Sequence, residues 1–359
     1  MSKTDIGSMT LLELQAFAAD MGLPKYRAAQ LFSWLQEKGV RSFSDMQNLP
    51  KVLRETLAET CFLPACTIDT KLCSALDGTT KYLLEFGPGE YVECVVMRYK
   101  YGLSICISTQ LGCKMGCSFC ASAIGGFKRQ LTASEMLAEI HTAQKDLGER
   151  IAHVVLMGTG EPLDNYENVL RFLHLATDEH GLGLSMRHIS LSTCGVVPRI
   201  YDLAKERLGL TLSVSLHAPN DAIRSALMPV NRTWGVEELL RACRAYTQQT
   251  SRRISFEYTM IDGVNDSDAC AMELADKLHG MLCHVNLIPV NSVRETQYKK
   301  SRAQRLRRFS ELLEQRGLTV TVRRTLGEDI DASCGQLRAK KLDAQKPQTS
   351  PENGRLQRG

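Results

Sequence analysis

The sequence predicts an α/β protein: a partial (β/α)6 barrel preceded by a small helical domain and a β-rich extension. From residue 109 onward, apolar strand-like runs alternate with helix-period segments, a rhythm that builds a mainly parallel sheet with helical crossovers. Upstream of that point the pattern is first helical and then β-rich, punctuated by Gly-containing turns. A chain of 359 residues, 43% hydrophobic and 23% charged, has the length and composition to bury a large core.

The helical domain spans residues 1–75. Leu11, Leu12, Leu14, Phe17 and Ala18 recur at helical spacing, as do Ala28, Leu31, Phe32 and Leu35. A third helix runs from about Lys51 to Thr60 after the breaker Asn48-Leu49-Pro50. The β-rich extension, residues 76–108, carries strands over Lys81–Phe86, Tyr91–Tyr99 and Leu103–Ser108.

The barrel spans residues 109–342. Its strands are expected at Ile151–Met157, Ile189–Ser192, Leu210–Leu216, Ile254–Met260, His284–Pro289 and Leu318–Val322. Between them fall helices over Tyr166–Ala176, Pro198–Glu206, Val236–Thr247, Asp268–Leu278 and Arg302–Gln315, with an earlier one opened by a Thr132-x-x-Glu135 capping box. The tail, 343–359, lacks apolar content and reads as disordered.

Composition narrows the function. Lys and Arg total 44 against 40 Asp and Glu, a net charge of +4 that permits a nucleic-acid partner without demanding one. No apolar run approaches the ~20 residues of a membrane span. The N-terminus is polar and acidic where a secretion signal would be apolar, so a cytoplasmic location is expected. In a reducing compartment, thirteen cysteines turn attention to metals, clusters and reactive thiols rather than disulfides. Cys61, Cys66, Cys73, Cys94, Cys194, Cys243, Cys270 and Cys283 are scattered or in apolar settings and read as small hydrophobes.

The exception is Gly112-Cys113-Lys114-Met115-Gly116-Cys117-Ser118-Phe119-Cys120. Three thiolates at this spacing, after a predicted strand, can hold three corners of a 4Fe-4S cube. A structural zinc needs a fourth ligand, and none follows nearby; His141 falls inside the next helix. The open iron suits S-adenosylmethionine (SAM), whose amino and carboxylate groups can chelate it.

The stretch from Gln110 to Leu131 resembles the radical SAM methyltransferases that modify adenine in RNA, nearest to the adenine-C2 family (RlmN), and the resemblance runs from about Tyr26 to Leu337. It implies a 4Fe-4S cluster on Cys113, Cys117 and Cys120. It also implies SAM contacts from Gly160 and Glu161 in Met157-Gly-Thr-Gly-Glu-Pro162, from Ser192, from Ser215-Leu216-His217 and from Asn291. These positions lie at successive strand C-terminal ends, where barrels bind ligands. Thr159 stands where the family more often has Met.

Three further roles come from the resemblance alone. Cys334 takes a methyl group and then carries it, as a covalent adduct, onto adenine C2. Cys106 resolves that adduct by forming a disulfide with Cys334. Glu93 accepts the ring proton, a task Cys106 could also perform. The implied partners are 23S rRNA at the peptidyl-transferase centre, tRNA beside the anticodon, and a flavodoxin- or ferredoxin-type electron donor, with the enzyme acting as a monomer without a membrane.

Basic residues do cluster, at Arg252-Arg253, from Lys299 to Arg308, at Arg323-Arg324, and as Lys25, Arg27 and Lys38 in the helical domain. Such charge suits phosphate contacts. Two other readings stay open: a sister C8 methyltransferase (the Cfr type), from which Pro162 and Pro289-Val290-Asn291 distinguish this chain, and a non-catalytic zinc-bound RNA-binding protein.

Overall fold

The computed structural model describes residues 3–290, 297–330 and 336–344. Asn291, Cys334 and the 345–359 segment therefore lie outside the described residues. At the N-terminus, β1 (Thr4–Asp5) pairs in parallel with β2 (Cys61–Phe62), bracketing α1 (Leu11–Asp20), α2 (Tyr26–Phe32) and α3 (Lys51–Thr60). Thr10 opens α1 with a capping box: its side chain accepts from the Glu13 N–H while Glu13 accepts from the Thr10 N–H.

One ten-stranded sheet organises the rest. Strands β3 (Thr67–Cys73), β4 (Thr80–Gly87), β5 (Glu90–Tyr99) and β6 (Gly102–Cys106) run antiparallel. After β6 a short hairpin, β7 (Gln110–Leu111) with β8 (Arg129–Gln130), carries the three-cysteine loop. The parallel series is β6, β9 (Ile151–Leu156), β10 (Ile189–Thr193), β11 (Thr211–Ser215), β12 (Ile254–Met260), β13 (Cys283–Pro289) and β14 (Val320–Val322).

Six helical crossovers join these strands. They are α4 (Ala133–Leu147), α5 (Tyr166–Thr177), α6 (Val197–Glu206), the pair α7 (Asp221–Leu227) and α8 (Val236–Thr250), α9 (Asp268–Leu278) and α10 (Ala303–Gln315). The expected partial (β/α)6 barrel is the observed architecture. A last helix, α11 (Gln336–Ala344), packs against β5.

Strand β3 was not expected from its sequence. Thr67-Ile-Asp-Thr-Lys-Leu-Cys73 is polar because the strand lies at the sheet edge, its residues alternating between exposed and half-buried.

Side-chain alternation explains both faces of the parallel series. On β12, Ile254, Phe256, Tyr258 and Met260 are fully buried among the outer helices. Ser255, Glu257 and Thr259 alternate with them and point the other way, into the lumen. Ser190 and Ser192 on β10 and Ser213 and Ser215 on β11 repeat the pattern, so the lumen is polar where the helix-facing side is not.

Glu139 on α4 is a buried exception. It is 0% exposed; one carboxyl oxygen accepts the Ser108 N–H at 3.1 Å, and the other has no hydrogen-bond partner among the described residues. Burial therefore raises its carboxyl well above the usual carboxylate range. The folded protein keeps a proton that the unfolded chain sheds above about pH 4.3, so this group costs stability as pH rises. Glu139→Gln should stabilise the protein at pH 7 by on the order of 1 kcal/mol, with the gain vanishing towards pH 4. Urea unfolding at the two pH values measures the difference.

Candidate active site

The site is built where the end of β6 meets the turn after β9. Ile107 N–H donates to Val155 O (3.0 Å), and Gly158 N–H returns a bond to Ile107 O (2.9 Å). Thr109 and Gln110 N–H groups both donate to Thr159 O, at 2.9 and 3.1 Å. Side chains complete the zipper: Thr159 N–H donates to Ser108 Oγ (3.0 Å) and Glu161 N–H to Gln110 Oε1 (2.9 Å). Gly158 and Gly160 are required at this approach. A Cβ on Gly158 would stand 2.5 Å from Ile107 O, and one on Gly160, whose φ is +118°, 2.7 Å from Thr109 Oγ1.

The same zipper roots the cysteine loop. Asn165 Nδ2 donates to Thr109 O (2.8 Å) and Leu131 O (2.7 Å), tying both ends of the loop to the start of α5. Lys114 pairs with Asp164 at 2.8 Å, and Ser118 N–H donates to Leu227 O at 2.9 Å. Gly112, at φ +82°, allows the loop to fold onto itself; a Cβ there would lie 1.7 Å from Gly126 O.

Cys113, Cys117 and Cys120 line one cavity of about 210 Å³. Gly160, Glu161, Ser192, Ser215 and His217 share its lining, so five sequence-predicted ligand contacts and three predicted cluster ligands converge. Among the described residues, no three His, Cys, Asp or Glu side chains are grouped to hold a metal ion. A lone zinc would need its donors ~2.3 Å from one centre, whereas a cube offers each thiolate its own iron. The donor set thus fits the cluster. Burial pushes the Cys113 thiol up to about 11 and Cys117 higher still.

Glu161 is held rigidly at the cavity wall. Its Oε1 accepts the Leu163 N–H (3.0 Å), its Oε2 accepts the Cys194 N–H (2.7 Å), and burial raises its carboxyl above the ordinary value. His217 takes a left-handed φ of +58° and its Nδ1 accepts the Thr259 N–H at 2.9 Å. A backbone amide can only donate, so Nε2 carries the ring proton. Burial lowers His217 to about 3, keeping it neutral, and Phe119 from the cysteine loop packs edge-on against it, 4.9 Å between centroids. Leu216 contributes differently: its N–H donates to Glu257 O (3.1 Å) while its side chain joins the core rather than the cavity.

Three residues here were missed in the sequence. Cys194, read as an inert hydrophobe, lines the cavity behind Glu161. Glu257 also lines it, accepting from Ser255 Oγ and Asn286 Nδ2, each at 2.7 Å. Its signal was visible: a carboxylate alternating with Ser255 and Thr259 in an otherwise apolar strand. Arg224 is 0% exposed and donates to the Cys194, Ser215 and Leu216 carbonyls and to Asn231 Oδ1, at 2.7–3.0 Å. It staples the ends of β10 and β11 beneath the cavity.

A second cavity, of about 580 Å³, shares Ile288 and Arg323 with the first. Cys106 lines it, opposite Val95 on β5 and Val155 on β9. Glu93 lies two residues along β5 from Val95, 3% exposed. Its carboxylate pairs with Lys81 Nζ at 3.0 Å and accepts the Arg338 N–H of α11 at 2.5 Å, and it lines neither cavity.

Arg224→Met should lower stability by about 3 kcal/mol or more, because several buried oxygens lose their donor. Arg224→Lys should recover only part of this, since one ammonium cannot span the fork. Equilibrium denaturation of the three proteins checks the order.

Known proteins converge on this assembly. The radical SAM superfamily model matches residues 107–275, and the model for the ribosomal RNA large subunit methyltransferase N-terminal domain matches residues 4–63. A protein of Alkaliphilus oremlandii described as "Probable dual-specificity RNA methyltransferase RlmN" is 50% identical over 95% of this chain and 99% of its own length. One of Clostridium novyi with the same description is 48% identical over 93% of this chain and 97% of its own. The crystal structure of a radical SAM methyltransferase from Sphaerobacter thermophilus superposes with a TM-score of 0.88 at 43% identity, covering 94% of this chain and 99% of that one. This chain belongs to the RlmN family of radical SAM methyltransferases.

Proposed function

We propose that this chain methylates carbon 2 of an adenine in 23S rRNA and in tRNA. The observation that carries the reading is the convergence of three loop thiols, the Glu161 turn and the polar strand ends on one cavity, with Cys106 in the cavity adjoining it. The matched relatives are described as dual-specificity RNA methyltransferases, which supports both RNA classes as substrates.

Cys113, Cys117 and Cys120 would hold the 4Fe-4S cluster. Bound there with SAM and given an electron by a flavodoxin- or ferredoxin-type donor, it supplies homolytic cleavage of the sulfonium to a 5′-deoxyadenosyl radical. Glu161 suits the SAM ammonium: a buried carboxylate with two backbone donors already fixed gains a cationic partner. Neutral His217 presents an Nε2–H donor to the same cavity. Ser192 and Ser215 offer hydroxyls on adjacent strand ends, and Asn291, outside the described residues, is the further contact the resemblance implies.

Adenine C2–H is neither acidic nor nucleophilic, so direct methyl displacement cannot operate there. Cys334 would instead take a methyl group from one SAM; the 5′-deoxyadenosyl radical from a second would remove a hydrogen atom from it. The carbon radical would add to adenine C2, and the ring hydrogen would leave as a proton with the spare electron returned to the cluster. Cys106 then attacks the Cys334 sulfur; the sulfur–carbon bond breaks, the carbon takes a proton, and a disulfide remains. Its burial beside Val95, Met97 and Val155 shields that thiol from other oxidants. Glu93, the acceptor that the resemblance implies for the ring proton, is held between Lys81 and the first turn of α11 and lines neither cavity, so Cys106, which lines the second, is the nearer base.

Protein purified without oxygen should contain iron and sulfide, and its intact mass should show one added methyl group. A colourless zinc protein would overturn the reading. Cys334→Ala should lose both the added methyl and RNA methylation. Cys106→Ala should accumulate a covalent RNA–protein species on a denaturing gel, and digestion of product RNA should give 2-methyladenosine rather than 8-methyladenosine by mass spectrometry.

A further inference from the structure

The β5–β6 hairpin places two tyrosines at the outer end of the Cys106 cavity. Tyr99 and Tyr101 stack with ring centroids 4.9 Å apart and an interplanar angle of 7°. Both remain accessible, at 38% and 63% exposure, although aromatic rings of this size are usually covered. Tyr101 rests edge-on against His153 (4.8 Å), which in turn packs on His188 (4.3 Å), so the pair is braced from below rather than loose.

Charge around this pair is distinctive. Arg323 and Arg324 are exposed on the far wall of the same cavity, and Lys100 lies between the two tyrosines in sequence. Among the described residues, none of these three side chains makes a hydrogen bond or ion pair. Near α10, Arg305 and Arg308 are held by Asp268, at 2.9 and 3.4 Å, and Arg316 at the helix end by Asp276, while Lys299, Lys300, Arg302 and Arg307 are unpaired among the described residues but line no part of this cavity. Uncommitted cations beside exposed stacked rings are the combination that binds single-stranded nucleic acid, with rings for bases and cations for phosphates.

We infer that Tyr99 and Tyr101, with Arg323, Arg324 and Lys100, form a stacking subsite for an unpaired nucleotide flanking the target base. This rests on the RNA-methylating reading and deepens it. A base that enters the cavity leaves its stack, and its neighbour loses a partner at the same moment. The tyrosine pair replaces that partner, while the two arginines hold the intervening phosphates. The recognised chemistry is a base face plus backbone charge, not a base edge, so one subsite serves different RNA sequences.

The test uses an RNA stem-loop with 2-aminopurine next to the target adenine. Full-length wild-type protein should quench the fluorophore on binding, and Tyr99→Leu/Tyr101→Leu should lose that quench and bind about ten- to a hundredfold more weakly. Tyr99→Phe/Tyr101→Phe should behave as wild type, since stacking needs the ring and not the hydroxyl. Arg323→Ala/Arg324→Ala should reduce the salt dependence of binding, by about one unit of slope per arginine. If the double leucine variant unfolds in a thermal melt, Tyr101→Leu alone carries the test, because that ring is the more exposed. Unchanged quench and affinity in a folded leucine variant would overturn the subsite. Failure of the wild-type protein to bind or methylate the stem-loop would instead overturn the functional reading beneath it.

Discussion

Everything at the site depends on one backbone contact, the zipper between residues 107–110 and 158–161. Residues about fifty positions apart are locked by hydrogen bonds buried from water, where each bond is strongest and each loss most costly. One side continues into the cysteine loop and the other into the Glu161 turn. Fixing the zipper therefore fixes the thiols and the carboxylate relative to one another before any ligand arrives. Glycine at 158 and 160 is the steric condition for that approach; any side chain would meet backbone or Thr109 and Gln110.

The lumen follows a second constraint. A barrel interior that must receive a charged sulfonium and a nucleobase cannot be filled with aliphatic layers. Ser190, Ser192, Ser213, Ser215, Ser255 and Glu257 occupy positions that would otherwise be Val or Leu, and Ser255 and Glu257 are bonded to each other and on to His284 and Asn286. Around Cys106 the lining is locally apolar, with Val95, Met97 and Leu326.

Much of this was legible in the sequence because local rules and tertiary demands agree. The α9 boundaries Asp268–Leu278 and the Thr132 capping box follow from apolar period and polar caps, and both are present as expected. The converging ligand residues were readable as polar positions at strand ends. What escaped has a physical reason in each case. Strand β3 has no apolar face, being an edge. Leu216 follows a strand whose inward parity belongs to its neighbour Ser215. Cys194 and Arg224 gain their meaning from partners far along the chain, which no local pattern encodes.

Arg224 shows how far such partners can carry an argument. A fully buried guanidinium is expensive unless its charge is answered, yet its direct partners are neutral oxygens. Asp221 reaches it only through Asn231, whose Nδ2 donates to Asp221 Oδ1 at 2.9 Å. Burial lowers the guanidinium's pKa, and besides Asp221 the nearby groups that oppose this are the thiols of Cys194, Cys117 and Cys243. As free thiols they are neutral and answer nothing. With the loop cysteines as thiolates of the proposed cluster, the buried cation would face an anionic group. A residue that looks like a structural staple would then also be the counter-charge to that proposed cluster.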